Sequence, residues 1–136
     1  MSLKKGKLDQ TRYIARCFNG KHEIELELIG ECMRMASVDP QSGNVRKEIV
    51  LSLEDIEKFC TVNCKSYDEV IVFFQSVAFR HCLIGKGYKL QFAAQNGSAC
   101  ILIYSTIAEG YGAGFMASAS QWANYIEEWN NREAEQ

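Results

Sequence analysis

Residues 12–38 read RYIARCFNGKHEIELELIGECMRMASV, and three strands with both their turns are legible in that run. Asn19-Gly20 separates Tyr13–Phe18 from the alternating Glu23–Leu28, and Gly30-Glu31 separates that run from Cys32–Ala36. Both dipeptides suit two-residue hairpin loops, which fix register. Loops that tight set Arg16 opposite Glu23, Arg12 opposite Glu27, and Glu27 opposite Arg34. On the other face they align Tyr13 with Leu26, Leu26 with Met35, and Leu28 with Met33. Charge gathers on one side and apolar side chains on the other, the pattern of an antiparallel meander with one wet face.

A fourth strand is expected over Val45–Leu51, beyond the turn-forming loop 39–44 that holds the only proline. Ile49 and Leu51 extend the apolar face there, and Arg46 and Glu48 the charged one. Helical signals then begin. Ser52 and Asp55 stand in capping spacing ahead of a short helix from Leu53 to about Phe59, and Ser66 and Glu69 repeat the spacing ahead of a longer one. The apolar residues Val70–Phe74, Val77, Ala78 and Leu83 wrap much of that helix, so it reads as buried and central, ending at Gly85 as a left-handed cap. Asn96-Gly97 marks another hairpin, joining Tyr88–Ala94 to Ala99–Ser105. Cys100–Tyr104 is apolar on both faces, as a central strand would be. Tyr111–Ala117 fits a last strand. Ser118 and Gln121 cap a closing helix to Asn130, on which Trp122, Tyr125, Ile126 and Trp129 share a face.

These elements imply one α+β domain over residues 1–136, with a largely antiparallel sheet, a helical pair, a second hairpin or three-stranded unit, and a C-terminal helix packed on it. Residues 1–10 read as a flexible basic tail, and no internal repeat is legible. The length allows one real core. Fifteen basic against 17 acidic residues leave a charge of −2, which gives no bulk attraction to nucleic acid or to an anionic membrane. No secretory segment follows Met1 and no apolar run approaches a membrane span. The six cysteines lie mostly among apolar neighbours and read as reduced core thiols, so the cytoplasm is the expected compartment.

Five places could hold chemistry. The run Glu109–Phe115 carries Gly110, Gly112 and Gly114. It lacks the ending of a phosphate loop and the dinucleotide spacing, and glycines two apart in a strand more often admit a closely packed helix. A ligand cleft beside it would use Tyr88, Ser105, Tyr111, Gly112 and Gly114. Cys60 and Cys64 with His81 or Cys82 could hold zinc, but on a continuous helix His81 and Cys82 diverge by about 100°, so no metal or other cofactor is expected. Cys17 and His22, opposed by the first hairpin, could form an activated thiol, yet no third residue orients the imidazole. Arg12, Arg16, Arg34 and Arg46 face glutamates and no aromatic residue, so nucleic-acid binding is not expected on that face. Trp122, Tyr125 and Trp129 form an aromatic row that either covers the core or anchors a partner.

The reading that results is a non-enzymatic interaction or adaptor-type module. It would meet a protein partner or a second copy of itself through an edge strand or the aromatic helix. The competing reading is a small-ligand binder, with or without enzymatic activity, using the cleft near Gly112 and Gly114.

Overall fold

The computed structural model describes residues 13–62, 67–76, 81–85, 87–95, 97–105 and 112–135; the basic tail at 1–10 lies outside them. Strands β1 (Tyr13–Phe18), β2 (Glu23–Ile29), β3 (Cys32–Val38) and β4 (Val45–Leu51) form one antiparallel sheet in chain order. Helices α1 (Leu53–Val62) and α2 (Tyr67–Ser76) follow. A second antiparallel sheet, again in chain order, comprises β5 (His81–Gly85), β6 (Tyr88–Gln95), β7 (Ser98–Ser105) and β8 (Gly112–Ser118). Helix α3 (Ala119–Glu135) closes the chain. The fold is α+β and antiparallel as expected, and the second unit is a four-stranded meander where a hairpin or three strands were expected. Among the described residues no helix is long and apolar enough to cross a membrane.

The β2–β3 loop is the two-residue turn that Gly30-Glu31 suggests: Gly30 takes φ +61°, and Leu26 faces Met35, Glu27 faces Arg34 and Leu28 faces Met33. The β1–β2 loop is two residues longer than expected. Asn19 N–H donates to the His22 carbonyl at 3.1 Å, and His22 N–H donates to Asn19 Oδ1 at 3.2 Å. The turn therefore spans residues 19–22, with Gly20 at φ +91°. Arg16 consequently faces Glu25 rather than Glu23, Tyr13 faces Leu28 rather than Leu26, and Cys17 faces Ile24 rather than His22. The slip is two residues, so every side chain keeps its face. Arg12 lies outside the described residues. The charged face is not uniformly wet either. Glu27 is only 1% exposed, and Arg34 reaches it while also holding Glu25 and Glu48.

The long helix expected to Leu83 is shorter. Helix α2 ends at Ser76, and His81–Gly85 is a strand that pairs with Tyr88–Phe92. Gly87, at φ +82°, makes the turn that Gly85 was expected to make as a helix cap. An apolar run of this kind does not distinguish helix from strand by period, and the tight turn plus a pairing partner decides it. Nor is α2 central. Val70 and Phe74 are buried against Ala93, Cys100 and Leu102 on the outer face of the second sheet, while Val72 on the same helix is 64% exposed.

The main core lies between the sheets. Leu26, Met33, Met35 and Ile49 of the first sheet meet Phe92, Ile101 and Phe115 of the second, with Ile56 and Phe59 of α1 and Trp122 and Ile126 of α3 between them. The two meanders exchange helices. Helix α1 follows the first sheet but packs on β7 and β8, whereas α3 follows the second and lies across β2, β3 and β4. The architecture is thus duplicated although no repeat is legible in the sequence. The aromatic rings lock the exchange: Phe59 stacks on Trp122 at 5.6 Å, and Phe115 meets Trp122 edge-on at 4.8 Å and Tyr125 edge-on at 5.0 Å.

Candidate functional site

Strand β4 is an edge of the first sheet, pairing only with β3 among the described residues. Its residues alternate as the sequence suggests. Ile49 and Leu51 are buried opposite Met35 and Met33, and Arg46, Glu48 and Val50 point outward. Val50 is 57% exposed and Val45 46%. An edge of this kind presents unpaired backbone groups, and Arg46, Lys47 and Glu48 guard its middle against indiscriminate pairing.

At the Leu51 end of this edge, β4 meets α1 and α3 around a cavity of about 230 Å³, lined by Glu48–Leu51, Asp55, Trp129 and Asn130. Helix α1 starts there because Ser52 Oγ accepts the Asp55 N–H at 3.3 Å, which fixes the first turn. Helix α3 reaches the same place because Ser118 and Gln121 form the expected capping box: Gln121 Oε1 accepts the Ser118 N–H at 3.0 Å and Ser118 Oγ accepts the Gln121 N–H at 3.3 Å. Trp129 packs against the core, 5.5 Å from the Phe59 ring, and Arg132 lies 5.8 Å from the centre of its ring. Its indole Nε1 is buried and has no acceptor. The Asp55 carboxylate makes no ion pair or hydrogen bond among the described residues. Trp129, with its unpartnered indole N–H, and Asp55, with its uncommitted carboxylate, thus both line a cavity beside an edge strand.

The aromatic row divides between core and cavity. Trp122 is fully buried and donates its indole N–H to the Ala99 carbonyl at 2.9 Å, so it belongs to the core. Tyr125 is partly buried between Phe59 and Phe115. Of these three residues, Trp129 lines the cavity beside β4.

Of the residues expected to line a ligand cleft, Tyr88 and Gly114 lie on opposite faces of the second sheet. Tyr88 packs against the main core on the inner face of the second sheet. Gly114 lies on the opposite face, where a Cβ would sit 3.1 Å from Val70 Cγ2, so α2 covers it. Gly112 pairs with Tyr104, and Ser105 pairs with Tyr88 by register. Tyr111 and the side chain of Ser105 lie outside the described residues, as do Cys64 and the side chains of His81 and Cys82. Cys60 is fully buried, and among the described residues no three His, Cys, Asp or Glu side chains converge on a point.

Cys17 lies in the apolar core and does not face His22. Burial pushes its thiol up to about 12, and burial does the same to Cys100. Both are poor nucleophiles at neutral pH. Arg16 pairs with Glu25 at 3.0 Å, and Arg34 holds Glu48 at 2.6 Å and Glu25 at 3.2 Å. These arginines are therefore committed to neighbouring strands.

Asp55 and Val50 were not candidates by sequence. Asp55 reads as part of a helix start. Val50 did leave a signal, as an apolar residue in phase with Arg46 and Glu48 on the charged face. The sequence matches no protein-family model and no curated protein.

Proposed function

We propose that the protein is an interaction module that takes an extended segment of a partner protein along β4, with Trp129 as its anchor. The observation that carries this reading is the buried Trp129 Nε1, which lacks an acceptor in a cavity walled by the open edge strand. A buried N–H without a partner is costly and rare. A peptide group supplies what the cavity lacks, since its carbonyl accepts from Trp129 and its N–H donates to Asp55. Strand addition to a sheet edge recruits main-chain hydrogen bonds for affinity and side-chain pockets for specificity. The charges on Arg46, Lys47 and Glu48 favour a segment with complementary charges over a purely apolar one.

The test is a library of displayed extended peptides selected on the full chain. Selected peptides should shift the amide signals of residues 45–51 and move the Trp129 indole N–H. Trp129→Phe should weaken them by about threefold to tenfold, as the loss of one hydrogen bond implies. Selected peptides whose shifts fall away from β4 would sink the reading, as would a selection that yields none. Native mass spectrometry showing a stable dimer with β4 protected from exchange would replace the peptide with a second copy of the chain and overturn the reading as stated.

A further inference from the structure

We propose a second site, which shares Arg46 with the peptide-binding edge: a pocket for a small phosphate monoester at the opposite end of β4. In a meander, the first and third turns lie at the same end of the sheet. Here they are residues 19–22 and 39–44, and they enclose a cavity of about 340 Å³ with the start of β4. Lys21, His22, Asp39, Gln41 and Arg46 are among its lining residues.

Three of these groups lack partners suited to them. The Nδ1 of His22 is buried and has no hydrogen-bond partner. Arg46 has an ion pair with Asp39 at 3.7 Å, too long for a hydrogen bond, so its guanidinium N–H groups have no acceptor among the described residues. Lys21 makes no ion pair among the described residues. The one acid is already engaged. Asp39 Oδ1 accepts the Gln41 N–H at 2.9 Å, and that bond, with help from Arg46 and against a desolvation penalty, holds the carboxyl below its usual range. The bond also stiffens the turn, together with the Gly43 N–H donated to the Asp39 carbonyl at 2.7 Å.

The chemistry of this set selects the ligand. A guanidinium fork matches the geometry of phosphate oxygens, and an ammonium adds a second positive charge. With Asp39 ionised, Lys21 and Arg46 leave the pocket with a net positive charge of one; a phosphate monoester presents three acceptor oxygens to the guanidinium, the ammonium and the imidazole N–H, where a carboxylate presents two. A cation is disfavoured, because Lys21 and Arg46 would repel it. The cavity falls at the small end of the range for small-molecule sites, with room for an organic group beyond the phosphate.

The experiment is an NMR titration of the full chain with inorganic phosphate and, in a parallel arm, sn-glycerol 3-phosphate, each against chloride at equal ionic strength. The expected result is saturable movement of the His22 ring and of the amides of residues 20–22 and 41–46, with glycerol 3-phosphate binding at least as tightly as phosphate. Arg46→Gln and Lys21→Gln should each weaken binding about tenfold. Both side chains are on the surface, so an otherwise unchanged amide spectrum verifies the fold. Shifts that rise linearly, that chloride reproduces, or that survive Arg46→Gln would overturn the site. A pocket that takes phosphate and excludes glycerol 3-phosphate would overturn the monoester assignment.

Discussion

The indole N–H of Trp122 donates to the carbonyl of Ala99 at 2.9 Å, binding α3 to the strand β7 that its own helix leaves behind as it crosses to the first sheet. The donor is fully buried and stacked on Phe59, so this bond fixes where α3 begins its crossing and hence where Trp129 arrives.

Replacing Trp122 by Phe leaves that carbonyl without the indole donor and empties part of the ring's volume. Unfolding in denaturant should show a loss of about 2–4 kcal/mol. Trp129→Phe is the contrast. Its N–H has no acceptor to lose, so stability should stay within about 1 kcal/mol of the parent. Equal losses in the two variants would mean that the indole bonds do not differ in this way.

Gly114 is required by packing, not by backbone conformation. A methyl group there meets three Val70 atoms at 3.1–3.2 Å. Gly114→Ala should cost about 1–3 kcal/mol through overpacking. Adding Val70→Ala should return part of that loss, so the double-mutant cycle has a favourable coupling energy. Additive losses would show that α2 does not sit on this glycine.

The buried thiols give stability a definite dependence on alkaline pH. Cys17 and Cys100 have folded values near 12, against 9.0 for an unperturbed thiol. Below pH 9 both states are protonated and the thiols contribute no slope. Above it the unfolded chain releases the protons that the folded chain retains, so stability should fall from about pH 9 until the folded values near 12 are passed. Equilibrium unfolding across that range measures the slope, and Cys17→Ala with Cys100→Ala should flatten it. A thiol reagent mapped by mass spectrometry at pH 8 should label Cys32, which is partly exposed, well ahead of Cys17 and Cys100.

Much of the fold is legible because strand sidedness has a period of two and is written locally. Ile49 and Leu51 against Met35 and Met33, the central position of β7, and the Ser118–Gln121 cap all follow from neighbours in sequence. The first hairpin shows the limit of that logic. Asn19-Gly20 marks a turn correctly, but the bonds between Asn19 and His22 lengthen it, and a slip of two leaves the alternation unchanged and therefore invisible. His81–Gly85 shows another limit, since an apolar run takes its conformation from the partner it finds, here β6.

The sequence by itself determined the two faces of each strand, most of the turns, the starts of α1 and α3 and the α+β class, because each rests on residues a few positions apart. Tertiary structure decided which sheet each helix covers, and with it the candidate site. Asp55, Val50 and Trp129 belong to α1, β4 and α3, and they share a cavity only because α3 crosses to the sheet it did not follow. That crossing depends on burying Trp122 and Ile126 between two sheets. No local pattern encodes this burial, since an apolar helix face states that it needs a partner surface without stating which one.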